Sequence, residues 1–451
     1  MHRIGPVGGD PAHPENILRK LPVSLALCAL SAPALAQSSV TAYGILDVGI
    51  ADITHSLNFD PNFLTGAPPI ITGGTQNAVG MFNGALSASR WGLRGSEDLG
   101  GGLKAVFTLE EGFNMQSGAV SDAASALANN GLAGPDGSLD SAISGQIFNR
   151  GAFAGISSST WGTLTAGRQQ SFFLDNIAVF DPMQGSQAFS PIGFSGSYGG
   201  GGFTDDSRAD GSVKYKINVA NFTLGALYKF GGVAGASSSR SGEQLNAVYA
   251  AGPFAAQVGF EKFIDAFSLA NPANTPTGSI AATAGDTTAY MVAAKYTCDP
   301  VTFRLGYERE EIADPSNPTI DATVTTLFNQ TIASVNVTKF ETDKNLNVYW
   351  AGLNWDMTPA FTLSVAGYHV AQDQYDSLSK GKTSVNPSGV LNYFSLVADY
   401  HVTKRTDTYA GVMDSIATGG SQTTIKAGGL VTTAYTVNSD RIVAIGARHM
   451  F

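Results

Sequence analysis

Along most of this chain apolar and polar residues alternate with a period of two, the pattern of a strand with one dry face and one wet face. Val40, Ala42, Gly44, Leu46, Val48 and Ile50 share one parity, and Thr41, Tyr43, Asp47 and Gly49 the other. Leu103, Ala105, Phe107 and Leu109 alternate with Lys104, Thr108 and Glu110. The same reading holds at Phe222–Phe230, Phe254–Glu261, Val301–Glu308 and Phe394–Val402. The segments are about ten residues long and run from end to end of the chain. That length and repetition fit the wall of a transmembrane β-barrel, in which every second side chain meets lipid.

The connections between segments fall into two classes. One is very short and rich in Gly, Pro, Asn and Asp, as at Leu99–Leu103, Ala220–Asn221, Gly252–Pro253, Cys298–Pro300, Thr358–Ala360 and Lys404–Arg405. Those residues suit tight turns. The other class is long and polar, at roughly 55–86, 118–146, 170–209, 232–242, 266–286, 315–343, 376–389 and 417–439. Short turns alternating with long loops are the arrangement of a bacterial barrel, with turns on the periplasmic side and loops outside. The count predicts a 16-stranded antiparallel barrel with eight long loops, wide enough for an aqueous lumen. The chain ends on such a segment, Arg441–Phe451. Gly446, His449 and the terminal Phe451 resemble the strand by which outer-membrane barrels are recognised and closed.

Composition narrows the class. The net charge is −10, and removing residues 1–36 removes three basic and two acidic side chains, which makes it more acidic. A nucleic-acid partner needs a basic footprint that is missing. Arg19 and Lys20 precede an apolar run, Leu21–Leu30, and Ala34-Leu35-Ala36 offers a small-x-small cleavage site. This predicts a secretory signal in residues 1–36, ahead of a barrel in 37–451. Cys298 is the only cysteine after that signal, so no internal disulfide is expected. The histidines after the signal, His55, His369, His401 and His449, show no close ligand spacing, so no metal site is expected, and no cofactor motif appears. No nucleophile elbow appears either, so the chain reads as a non-enzyme.

Several blocks resemble the general porins of beta-proteobacteria: Gln37–Asp47, Ser89–Ala105 (SRWGLRGSEDLGGGLKA), Phe148-Asn149-Arg150, Trp161–Gln169 and the terminal Gly446–Phe451. The resemblance implies a 16-stranded barrel, a homotrimer in outer-membrane lipid and lipopolysaccharide, inserted by the barrel-assembly machinery. It implies passive passage of ions and small hydrophilic solutes. It also implies that the third long loop, about 170–209, folds into the lumen and narrows it.

A pore selects by size and by the field at its narrowest point. In the loop, Asp175, Asp181, Asp205 and Asp206 are the candidate carboxylates. Phe172, Phe173, Leu174, Ile177, Val179 and Phe180 are expected to pack it against the wall, since a solvated loop gains nothing from so many rings. For the wall, parity sets Arg90 and Arg94 opposite Trp91 and Leu93, and Lys214 and Lys216 opposite Val213, Tyr215 and Ile217. Lys104, Lys229, Arg304 and Arg448 also fall on the polar face. Arg150 and Arg168 match porin motif positions but their parity is undecided; Arg168 shares the parity of Leu164 and Ala166, which fits a lumen position or a trimer contact. Arg90 and Arg94 lead, because an unpaired Arg on the lipid face costs about 2–4 kcal/mol near the midplane. Wall cations outweigh distant loop acids, beyond a screening length of about 8 Å, so a mild anion preference is expected. A substrate-specific channel is the alternative, and a barrel enzyme a more distant one.

Overall fold

The computed structural model describes residues 38–56, 75–82, 84–116, 118, 147–192, 208–270, 279–317, 326–327, 330–337, 339–379, 382–421, 425–427, 430–432 and 438–451. The predicted signal, residues 1–36, lies outside them, as do Asp205 and Asp206.

The wall has 16 strands: β1 (Ser39–Ser56), β2 (Arg90–Gly100), β3 (Leu103–Gly112), β4 (Gly151–Ser158), β5 (Gly162–Gln170), β6 (Arg208–Val219), β7 (Phe222–Lys229), β8 (Gly242–Ala251), β9 (Phe254–Ala270), β10 (Ser279–Cys298), β11 (Val301–Ala313), β12 (Lys344–Thr358), β13 (Phe361–Gln372), β14 (Gly389–His401), β15 (Thr406–Gly419) and β16 (Asn438–Met450). Each pairs antiparallel with the next. β16 pairs back onto β1, from Ile45↔Met450 to Ser56↔Ser439. Closure leaves no unpaired edge in the membrane, as lipid requires. The first turn shows why its sequence is Gly-Gly-Gly: Gly100, Gly101 and Gly102 all have positive φ, at 82°, 63° and 81°, a region costly for residues with a Cβ.

The predicted strand count and the two classes of connection stand. The long side differs in detail. The predicted loop 266–286 is mostly strand, because β9 runs to Ala270 and β10 starts at Ser279. Other predicted loops carry short strands. Thr75–Phe82 pairs with the upper half of β1, Gln330–Val337 runs parallel to the start of β10, and Lys339–Phe340, Tyr375–Ser379 and Lys382–Asn386 form a separate small sheet. These stretches are too short to stand out from polar loops by periodicity.

The outer face is apolar, with Trp91, Ile156, Leu245, Val258, Phe303 and Phe394 exposed on it. The inner face is not uniformly polar. Ala289, Met291, Val348, Trp350, Tyr368, Val370, Val397, Ile442 and Ala444 point inward and are buried. They are covered by the third long loop. Its helix α1 (Phe172–Phe180) and the following residues to Ile192 lie inside the barrel.

Candidate functional site

The site is the space between α1 and the wall made by β1 to β6. The helix starts at Ser171, whose hydroxyl accepts from Leu174 N–H at 3.0 Å, a capping interaction that fixes the first turn. Phe172, Phe173, Asn176, Ile177 and Phe180 form its buried face. Four glycines on inward positions make room for the loop. A Cβ at Gly225 would lie 2.2 Å from the Phe172 ring, one at Gly259 2.8 Å from Phe173, one at Gly352 2.7 Å from Pro182, and one at Gly411 2.7 Å from Phe189. The polar groups of the loop are matched as closely. Gln244 Oε1 accepts from Phe172 N–H at 2.8 Å. Asn176 Nδ2 donates to Asn246 Oδ1 at 2.7 Å and Gln257 Oε1 at 3.1 Å. At the helix end, Arg304 Nε donates to the Val179 carbonyl at 3.0 Å and Trp350 Nε1 to the Phe180 carbonyl at 3.1 Å. Those carbonyls have no partner within a helix, and a cation there complements the dipole. Further on, the Ser395 hydroxyl donates to the Phe189 carbonyl at 2.7 Å.

The opposite bank is cationic. Lys214 Nζ donates to Asp175 Oδ2 at 2.6 Å and to the Gln170 carbonyl at 2.9 Å, and it sits 4.3 Å from the centre of the Phe172 ring. Arg150 Nε donates to Glu110 Oε1 at 2.8 Å, and the Tyr43 hydroxyl donates to Glu110 Oε2 at 2.9 Å. Arg90 Nε lies 3.8 Å from Glu110 Oε2. The Arg94 guanidinium stacks 5.0 Å from the centre of the Tyr43 ring, with its side chain exposed. Tyr43, Glu110, Arg150, Asp175, Lys214 and Lys216 border one space of about 400 Å³. Three cations, Arg150, Lys214 and Lys216, and two carboxylates, Glu110 and Asp175, border it, with Arg90 and Arg94 beside them against Glu110 and Tyr43. Tyr43 and Glu110 were not singled out from the sequence. Their lumen parity was readable, but nothing marked them apart from other polar-face residues.

Two predicted residues are elsewhere. Asp181 is wholly buried beneath the loop and faces no water. It accepts from the Tyr368 hydroxyl at 2.6 Å, Gly185 N–H at 2.8 Å and Met183 N–H at 3.2 Å. It organises the loop after α1, and burial pushes its carboxyl above the usual range. Arg168 does not border the pore space. Regular pairing with β4 sets it opposite Ala152, on the same outward parity as Ala166 and Leu164. Its guanidinium donates to Asp210 Oδ1 and to the Asn149 carbonyl, both at 2.6 Å. Val179, expected to pack the loop, is 39% exposed, because it falls on the helix face away from the wall.

At the seam, Phe451 N–H donates to the Gly44 carbonyl at 3.1 Å, and Gly44 N–H to the Phe451 carbonyl at 3.2 Å. His449 pairs with Leu46 on the outward face, and Gly446 with Gly49 on the inward one, where a Cβ would strike the Tyr409 hydroxyl at 2.3 Å.

A family model described as Gram-negative porin matches residues 24–419. An outer membrane porin protein of Bordetella pertussis is 32% identical over 211 residues, 45% of this chain and 46% of that protein. Outer membrane porin protein 32 of Delftia acidovorans is 29% identical over 215 residues, 47% of this chain and 50% of that protein. The chain thus spans about half the length of the curated relatives it matches. An anion-selective porin from Comamonas acidovorans has the same fold, with a TM-score of 0.58 at 20% identity, covering 92% of this chain and 100% of that one. Closed barrel, inward third loop and family match agree, and the chain belongs to the Gram-negative porin family.

Proposed function

We propose that the protein is a general diffusion channel of the outer membrane, passing ions and small hydrophilic solutes through a water-filled lumen with a mild preference for anions. The observation that carries this is the cationic bank of Arg90, Arg94, Arg150, Lys214 and Lys216 across from α1, which presents Asp175 to the same space. Low-dielectric walls strengthen such a field, so it discriminates more than the same charges would in open water. The Comamonas porin, by its name, shares this preference. The mature barrel is taken to begin at residue 37, after export. Gly446, His449 and Phe451 serve recognition by the assembly machinery, and their strand closes the barrel.

The assembled form is a homotrimer in this reading. The Arg168–Asp210 pair on the outward side supports it, since a charged pair suits a subunit contact better than acyl chains. Purified protein in bilayers under a salt gradient tests the function: conductance arriving in groups of three steps, with a reversal potential on the anion side, is expected. A saturable block by one solute would replace general diffusion by a specific channel.

A further inference from the structure

The short-turn mouth of the barrel holds a cluster that conduction does not use. Asp399 and His401 lie near the end of β14, and Asp407 near the start of β15, joined by residues 402–405. Register sets His401 opposite Asp407 and Asp399 opposite Tyr409. Tyr409 reaches inward to Asp47 at 2.6 Å, so all three side chains share the lumen face. One ligand atom from each lies within 4.8 Å of the others.

The hydrogen bonds around His401 set its tautomer. The Thr362 hydroxyl donates its one proton to Asp356 Oδ1 at 2.7 Å. It lies 3.2 Å from His401 Nε2 and can therefore only accept there. The neutral ring thus carries its proton on Nε2, and the Nδ1 lone pair points toward Asp407 Oδ2, 4.0 Å away. A lone pair facing a carboxylate is unfavourable unless a proton or a metal cation lies between them. Arg448 supplies part of that charge. Its Nη2 donates to Asp407 Oδ2 at 2.5 Å and lies 3.6 Å from Asp399 Oδ2, its Nε is 3.2 Å from both Asp407 oxygens, and its Nη1 donates to the Ser87 hydroxyl at 3.1 Å. It leaves Asp399 Oδ1, which is buried and has no hydrogen-bond partner among the described residues.

We propose that Asp399, His401 and Asp407 bind a divalent ion of the zinc class at this mouth, through His401 Nδ1 and one oxygen of each carboxylate. A mixed imidazole and carboxylate set selects zinc, nickel or copper over calcium and magnesium, which take oxygen ligands. Metal–ligand bonds of about 2.0–2.2 Å place tetrahedral ligands roughly 3.3 Å apart, so the three side chains close in by roughly 1 Å. The ion displaces Arg448 Nη2 from Asp407 Oδ2, while Arg448 Nε keeps Asp407 Oδ1. Thr362 acts as the outer support that orients the ring. The bound ion adds two positive charges to the mouth and strengthens the anion preference.

The test is calorimetric titration of the folded trimer with zinc and, separately, with magnesium, alongside reversal potentials in a salt gradient. One saturable zinc site per chain is expected, with magnesium much weaker and the reversal potential moving toward anions as zinc binds. His401→Ala should abolish the site. Thr362→Val, which leaves every ligand in place, should weaken zinc about 10–100-fold. No saturable zinc binding by the folded wild-type protein overturns the proposal, and so does zinc binding unchanged in both variants.

Discussion

At the scale of single residues, the pore is a set of cations with only part of their charge returned. Lys214 is held by Asp175, and Arg150 by Glu110, while Arg94 rests on an aromatic face. Neutralising Arg90 and Arg94 together should move the reversal potential toward cations. A charge about 8 Å from a permeating ion is worth roughly 0.5–2 kcal/mol between water and protein-like screening, and an unchanged potential would remove both from the constriction. Asp175→Asn should do the opposite, freeing Lys214 and raising the anion preference; a shift toward cations would contradict the placement of that pair. Asp181 makes a different prediction. Its carboxyl is raised by burial, so the packed loop binds a proton more tightly than the unfolded chain does. Stability is then greatest on the acid side and falls as pH rises from the usual carboxylate range through the raised value. Thermal unfolding in detergent should show this slope in the wild type and a flatter one in Asp181→Asn; equal slopes would contradict it. Parity alone placed Arg90, Arg94, Lys214 and Lys216 on the polar face in the sequence. At Arg168 the placement was left undecided: the motif position pointed to the pore, while the parity shared with Leu164 and Ala166 pointed outward, which is where the side chain lies. Parity was silent on Asp181, since a loop carboxylate looks the same whether it faces water or three buried donors.

At the scale of elements, the third loop is part of the wall. Phe173, Ile177, Phe180, Phe189 and Ile192 are each at most 1% exposed. Each such side chain contributes about 1.5–3 kcal/mol on burial. Swinging the loop off the wall would also wet the apolar inner face of β10 and β12 to β16, so it narrows the pore permanently. Gly225→Val tests the fit. The new side chain would collide with the Phe172 ring, overpacking costs about 1–3 kcal/mol, and the start of α1, with Asp175, should shift away from Lys214. Lower thermal stability together with altered single-channel conductance is expected, and unchanged conductance would mean that α1 does not set the constriction. The loop's aromatic run announced packing in the sequence. The inward apolar residues of β12 to β15 did not announce their partner, because a strand apolar on both faces reads the same whether it meets lipid or a loop. The four glycines beneath the loop were visible only as unexplained glycines on lumen positions.

At the scale of the whole molecule, alternation and the two classes of connection were enough to give 16 strands and closure, since a barrel repeats one local rule many times. What they did not give is the offset of the lumen. The loop covers the side of β9 to β16 and leaves the open space beside the cations of β2 to β6. That asymmetry is the central claim about function. Its most direct measurement is the reversal potential of purified protein in a planar bilayer under a salt gradient. The account predicts large, water-filled conductance with the potential displaced mildly to the anion side. A displacement to the cation side, or no conductance from correctly folded protein, would contradict it.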